Sequence, residues 1–334
     1  MSTRTTAGWS PVARAVTLLT GVLTALLIAF ALPMQHLRPH HLPVAVVDPQ
    51  ATTGTLVQRL QANRPGAFQI DPVADTDTAR TRILHRQDYG AIIVEPTGAR
   101  VLTAGAASPA VAQLLAGLAA TLQAPVTDVV PLPDRDPSGA GLAGGALPLV
   151  LGGWICALAM LAMAPGTAQR VTGVFAFAGI GSATFIAIEK YWFGSVTGNY
   201  ALITAGVALG IAATAWTVLG LRSALGGRGL ALAAMLIMLL GYPLSGLTTA
   251  PELLPAPLGT IGRLLPPGAT GTLLRSTSFF HGHGAARPIA VLACWLAAGL
   301  TLFFIGQSRA GHRAATTAAA ASAEAPRPAG LTAA

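Results

Sequence analysis

Apolar residues along this chain follow two regimes. In six places they form charge-free runs close to the roughly 20 residues a helix needs to cross a bilayer: 15–32, 146–164, 171–188, 200–221, 229–247 and 288–305. Between 42 and 131 the runs shorten and alternate with amphipathic stretches. There 42–48, 67–71, 90–95 and 99–103 read as strands, with a last one near 128–132. Segments 53–63, 75–87 and 109–123 read as helices, the second opening on an Asp75-Thr76-Asp77 cap and carrying Arg80, Arg82 and Arg86 on solvated faces. The Pro- and Gly-rich stretch 131–145 returns the chain to the apolar runs. The fold class expected is an α-helical polytopic membrane protein of about six transmembrane helices with a small α/β domain inserted after the first.

Composition agrees with that class: 53% of the residues are hydrophobic, 10% are charged, and the mean hydropathy is +0.62. The net charge of +8 rests on single arginines beside apolar runs, not on a basic stripe, which argues against nucleic acid as a partner. Those arginines give an orientation. Arg4 and Arg14 precede the first run, Arg170 follows the second, Arg222 and Arg228 separate the fourth and fifth, and Arg309 and Arg313 follow the sixth, all on one side. Both termini are therefore expected in the cytoplasm, with 34–145 and 248–287 outside, in a plasma-membrane protein. On the outer side, the Glu189/Lys190 pair with Tyr191 and Trp192 reads as an anchor at the bilayer interface. The first run is long for a signal peptide and Pro33-Met34-Gln35-His36 lacks a small-x-small cleavage pattern, so an uncleaved anchor is expected.

Catalytic chemistry finds little support. Asp75 and Asp77 opening a helix are a cap and dipole complement before they are an acid pair. His85 reads as surface. His36, His40 and His41 with His281 and His283 have only loose clustering to offer a metal. Cys156 and Cys294 both lie in apolar runs and supply neither a disulfide framework nor a CxxC site. The one lysine, Lys190, follows Glu189, so a Walker A loop cannot be written anywhere in the chain. Nor do the runs carry ionisable residues at depth, as proton-coupled carriers usually do. No catalytic residue, cofactor or metal is assigned, and active transport would need energy from another chain.

Small residues and breakers mark two further places. Gly206 and Gly210 form a GxxxG that permits close helix packing, although such spacing also arises by chance among 38 glycines. After the fifth run, Pro251, Glu252, Pro266, Pro267, Gly268 and Arg275 punctuate a segment too apolar for an ordinary solvated loop, so short pieces of it are expected to dip into the outer interface as a gate-like element. Arg170 is the candidate contact for a cytoplasmic partner. The tail, 307–334, is expected to be disordered.

One span, a large external domain, five further spans and a PxxLP...LPPGA...LR...FFxG segment before the last resembles the membrane subunits of type-2 ABC exporters, and within them the phage-infection-protein-like branch. Leu42-Pro43-Val44-Ala45-Val46-Val47-Asp48 and Asp88-Tyr89-Gly90-Ala91-Ile92-Ile93-Val94 are similar to recurring strands of that family. The resemblance implies a permease that pairs with a second permease half and with a cytoplasmic ATPase subunit, exporting a lipid, drug or envelope component. Against that, segments 1–14 and 165–170 are short surfaces for docking an ATPase, which keeps open a second reading: a membrane receptor or scaffold acting through its external domain. A membrane-embedded enzyme is the third and least supported class.

Overall fold

A computed structural model describes residues 10–35, 38–48, 65–96, 98–247 and 249–324. The expected helix 53–63, His36 and the end of the tail lie outside the described residues.

Strands β1 (Leu42–Val47), β2 (Phe68–Val73), β3 (Gly90–Glu95), β4 (Gly98–Thr103) and β5 (Val126–Asp128) form one sheet in the order β2-β1-β3-β4-β5. β1 pairs parallel with β2 and β3, β3 and β4 form an antiparallel hairpin, and β5 adds parallel to β4. Parallel pairing requires crossovers. Helix α2 (Thr76–Leu84) joins β2 to β3, and α3 (Pro109–Thr121) joins β4 to β5. Both start where side-chain caps permit: Asp75 accepts from the Thr78 N–H at 2.7 Å, which holds its carboxyl below the usual range, and Ser108 precedes Pro109 at the first helical position. The last strand sits at 126–128, slightly ahead of its expected place.

Central β1 is buried on both faces, which is why it reads as a continuous apolar run and not an alternating one. Leu42, Val44 and Val46 face Val111, Leu115 and Ala119 of α3. Ala45 and Val47 face Ala79 and Ile83 of α2. Each face is completed from a distant part of the chain: Ala250 and Leu253 join the first cluster and Phe280 the second. Fully burying one such Phe contributes about 1.5–3 kcal/mol. Segment 250–280 therefore grips the sheet domain from both sides.

Among the described residues, four helices are long and apolar enough to cross a membrane: α4 (Ala140–Met163), α5 (Thr167–Ala187, continued to Phe193 by a π-helical turn), α6 (Tyr200–Leu225) and α10 (Ala286–Glu324), of which the stretch to Thr317 qualifies. α4 and α5 run in opposite directions through a tight turn at 164–166, α6 ends at a second tight turn at Gly226, and α10 runs parallel to α6, with Gly220 against Gly299 and Ser223 against Phe303 and Gly306. Helix α6 runs through the middle of the bundle, buried continuously from Gly210 to Leu221. Trp216 of α6 is fully buried and meets Phe303 of α10 edge-on at 5.2 Å. Gly220 and Gly299 lie where a Cβ on either would collide with the opposite backbone, so α6 and α10 pack at minimal separation.

The first and fifth expected spans differ. α1 (Ser10–Gln35) is helical, with its apolar stretch Val12–Ala25 largely exposed. α7 runs only Gly227–Gly241, about 22 Å, short of the roughly 30 Å of a hydrocarbon core. The expected run to residue 247 is apolar but not helical beyond Gly241. Pro243 has no N–H to continue the ladder, and Gly246 takes a left-handed φ of 64°. The chain then passes a short turn, Pro251–Leu253, and re-enters the bundle as a hairpin of α8 (Leu258–Leu264) and α9 (Pro266–Phe279).

Helix α9 lies antiparallel to the first half of α6. Gly198 abuts Thr277 and Ser278, Gly206 abuts Leu273 (3.2 Å from a Cβ built there), and a Cβ on Gly210 would collide with Thr270. The hairpin tip is thus about ten residues, or about 15 Å, into the bundle from the start of α6. There Pro267 meets Gly241, the last residue of α7. Two half-length elements, α7 from one end and α8–α9 from the sheet end, complete the fifth column between them. The tail departs from expectation: α10 continues as helix to Glu324, about 28 Å beyond Ile305, in keeping with the high helix propensity of its alanines.

Candidate functional site

Where the sheet domain meets the hairpin, a cavity of about 260 Å³ is lined by Arg86, Arg263, Arg275 and Arg287, with Tyr89 and Glu252 opposite. Glu252 sits in the turn before α8 and is nearly buried. It accepts from Arg263 Nη1 at 2.9 Å and from the Tyr89 hydroxyl at 2.7 Å. Its backbone carbonyl accepts from His40 N–H at 2.8 Å, and Leu253 O accepts from Arg38 N–H at 3.1 Å, fixing the entry strand to the turn. Burial pushes the Tyr89 phenol well above its ordinary range, and the Glu252 carboxylate it donates to pushes it further.

Arg86 was expected on a solvated face. Instead it occupies a left-handed backbone position at the end of α2 (φ 60°) and is half-buried. It donates from Nη1 to Thr272 O at 2.9 Å and to Ser276 Oγ at 2.7 Å, and lies 5.2 Å over the Phe280 ring. Burial pulls its guanidinium down, offset in part by Tyr89 and Glu252. Arg82 likewise leaves the solvated face to bridge Asp71 at 2.6 Å and Asp88 at 2.5 Å; Asp88 above all holds it above its usual range. Arg80 alone of the three is exposed.

Arg275 is buried in α9 and donates to two carbonyls of the unwound segment after α7: Nη1 to Gly246 O at 2.9 Å, and Nη2 to Leu247 O. Backbone released from a helix inside a bundle needs such partners. The Nε groups of Arg263 and Arg275 are buried without an acceptor among the described residues. Four guanidinium groups line the cavity against two carboxylates, Glu252 and Asp88, the second already paired with Arg82, and this excess of positive charge suits an anionic oxygen group such as a phosphate or carboxylate.

The expected gate residues thus separate into three places. Pro251 and Glu252 line the cavity, Arg275 ties α9 to the broken helix, and Pro266, Pro267 and Gly268 form the hairpin tip deep in the bundle. Leu265 is extended because it precedes a proline, and the tip is held by Trp295 Nε1–H donating to Leu264 O at 2.7 Å. Gly206 and Gly210 face this hairpin, not another full-length span.

At the outer-anchor candidates, Tyr191 and Trp192 are 64% and 81% exposed. The expected Glu189/Lys190 pair does not form. Lys190 Nζ donates to Thr197 O at 3.1 Å and to Gly198 O, while Glu189 turns inward and is 3% exposed. Adjacent residues on a helix point about 100° apart, so they do not face each other.

At the other end of the bundle, Arg170 Nε donates to Ala164 O at 2.8 Å, capping α4, and shares a cavity of about 270 Å³ with Arg222 and Gln307. Among the histidines, His85 and His283 meet ring to ring at 4.1 Å, and no three His, Cys, Asp or Glu side chains among the described residues gather as a metal site. Sequence reasoning missed Arg86, Tyr89, Arg263 and Arg287; nothing local marked them, since their partners lie up to 190 residues away.

Comparison with protein-family models, with curated proteins and with solved structures finds no match for this chain.

Proposed function

We propose that this chain is the membrane-embedded subunit of an exporter, energised by a separate ATPase chain and moving an amphiphilic lipid, drug or envelope component. One observation carries the reading: the fifth column is interrupted halfway, and a hairpin attached to the sheet domain fills the gap. Non-helical backbone at that depth is tolerated where it is buried in protein or lines a pathway, and broken helices are a recurring device of transporters. A pure anchor for an external domain has no need of it.

In this reading the sheet domain is extracytoplasmic. Arg170, Arg222, Arg228 and Arg309 all sit at the opposite end of the bundle, the distribution that the positive-inside rule assigns to the cytoplasm. The tight turns there leave the extension of α10 beyond Ile305 as the main surface for an ATPase. A second permease half, as a second copy or a homologue, would cover the exposed apolar side of α1.

The test is a mild-detergent pull-down of the tagged chain from its native membrane with mass spectrometry of what accompanies it. A stoichiometric ATPase subunit is the expected result. Its repeated absence from intact, folded protein would overturn the reading in favour of the second one, a receptor or scaffold, for which the arginine-lined cavity would be the ligand site.

A further inference from the structure

Between the first turns of α4 and the π-helical end of α5 lies a cavity of about 630 Å³, separate from the arginine-lined one. Its floor on the α4 side is Gly141, Gly144 and Gly145, and its apolar walls are Pro148, Phe185 and Phe193. Glu189 projects into it. A Cβ on Gly145 would collide with Glu189 Oε1, so the glycine is what admits the carboxylate to this position.

The polar groups there are incompletely used. Glu189 Oε2 is buried without a well-formed hydrogen bond among the described residues, and the hydroxyl of fully buried Ser195 lies against the same carboxylate. Asp136, also buried, accepts from Gly141 N–H at 3.0 Å and adds a second carboxylate to the wall. No cation answers them. Lys190 is committed to carbonyls on the far side, and Arg135, exposed at the rim, forms no ion pair among the described residues. A carboxylate buried without a counter-charge costs several kcal/mol unless it takes up a proton or a cation is supplied.

A π-helical turn is the local cause. By widening the helix over Ile188–Phe193 it carries Glu189 inside while Tyr191 and Trp192 remain outside. Such turns are commonly found where a side chain serves a ligand. The volume far exceeds a metal ion's, and most of the lining is apolar, so the complement is a cationic head on an apolar body.

We propose that this cavity binds an amphiphile bearing an ammonium group, its head between Glu189 and Asp136 and its apolar portion along Phe185, Phe193 and Pro148. Glu189 and Asp136 supply the charge, and Ser195 behind them holds the Glu189 carboxylate in place. The proposal concerns binding alone and stands whether or not the chain transports.

The test is native mass spectrometry of the full chain released from detergent, with added dodecyltrimethylammonium and, as the uncharged counterpart, dodecanol. Separate arms add phosphatidylethanolamine and phosphatidylglycerol. The expected result is one ammonium probe bound in preference to dodecanol, with retention of the ethanolamine lipid over the glycerol lipid if the natural source is a bilayer lipid and of the single-chain probe alone if it is not. Glu189→Gln should weaken probe binding at least about tenfold. Because that variant also alters a buried contact, Gly144→Phe serves as the second: Gly144 lines the cavity and nothing lies within 4 Å of a Cβ there, so a bulky side chain is accommodated by the fold and obstructs the cavity. It should abolish binding with the melting temperature unchanged. Equal binding of dodecanol, or binding by both variants within twofold of the original chain, would overturn the proposal.

Discussion

Replacing Arg275 by methionine tests the account of the broken fifth column most directly. Methionine keeps most of the side chain's length and apolar bulk but removes both donors, leaving Gly246 O and Leu247 O without partners inside the protein. A hydrogen bond to a charged donor contributes about 1.5–3 kcal/mol, and each orphaned buried carbonyl costs about 1–3 kcal/mol. Those ranges describe the same two bonds and are not summed separately; a net loss of about 3 kcal/mol is expected. It should fall locally, because Arg275 ties one short segment. Hydrogen exchange reads this well. The Leu244, Ser245 and Leu247 amides donate to Leu240 O, Tyr242 O and Ser245 Oγ, so they are protected while the segment is closed. A loss of about 3 kcal/mol corresponds to roughly hundredfold faster exchange at these amides, with α4 and α5 unchanged. Arg275→Lys should recover only part of the protection, since a single ammonium lacks the two-pronged geometry. Exchange in Arg275→Met within threefold of the original would refute the assignment of Arg275 as the tie.

Further expectations follow from other contacts. Gly210→Val should overpack the α6–α9 seam by about 1–3 kcal/mol, seen as a lower melting temperature in detergent, whereas Gly117→Ala on α3, where a Cβ meets open space, should be neutral or slightly stabilising. Trp216→Ala should cost about 3–5 kcal/mol by opening a cavity between α6 and α10, measured by the same melt. Tyr89 gives a pH dependence. Its folded pKa is raised, so its contribution is complete below the unfolded value near 10 and is lost as pH climbs above it. Limited proteolysis of the sheet domain should therefore accelerate above about pH 10, and Tyr89→Phe should flatten that rise while giving up about 1 kcal/mol at neutral pH. A Tyr89→Phe chain with an unaltered alkaline profile would remove Tyr89 from the account.

Much of the fold could be read from local pattern. Four strands fell almost where expected because apolar runs bounded by turn residues leave few alternatives, and Asp75 marked a helix start through a bond made within three residues. Apolarity alone failed at the fifth run. Hydropathy counts side chains and is blind to backbone hydrogen bonds, so 229–247 looked like one span although Pro243 stood inside it. The Glu189/Lys190 reading treated sequence neighbours as spatial neighbours, which a helix does not allow. The arginine-lined cavity was not legible because it is assembled from α2, the turn after α7, the hairpin and the start of α10, and the spacing of charges within any one of these says nothing about the others.

The meeting of α7 and the hairpin at Gly241 and Pro267 has a mechanical consequence. An unbroken helix can be moved only by sliding its whole length past its neighbours or by rupturing backbone hydrogen bonds. Here the column is already in two pieces that touch through van der Waals contact, so parting them breaks no helical bond. The upper piece is gripped by the sheet domain through Leu253 on one face and Phe280 on the other. A tilt of the domain therefore acts as a lever on a cork, held by the α6–α9 seam along its side and by two polar fastenings, the Arg275 tie and the Trp295 hydrogen bond at the tip.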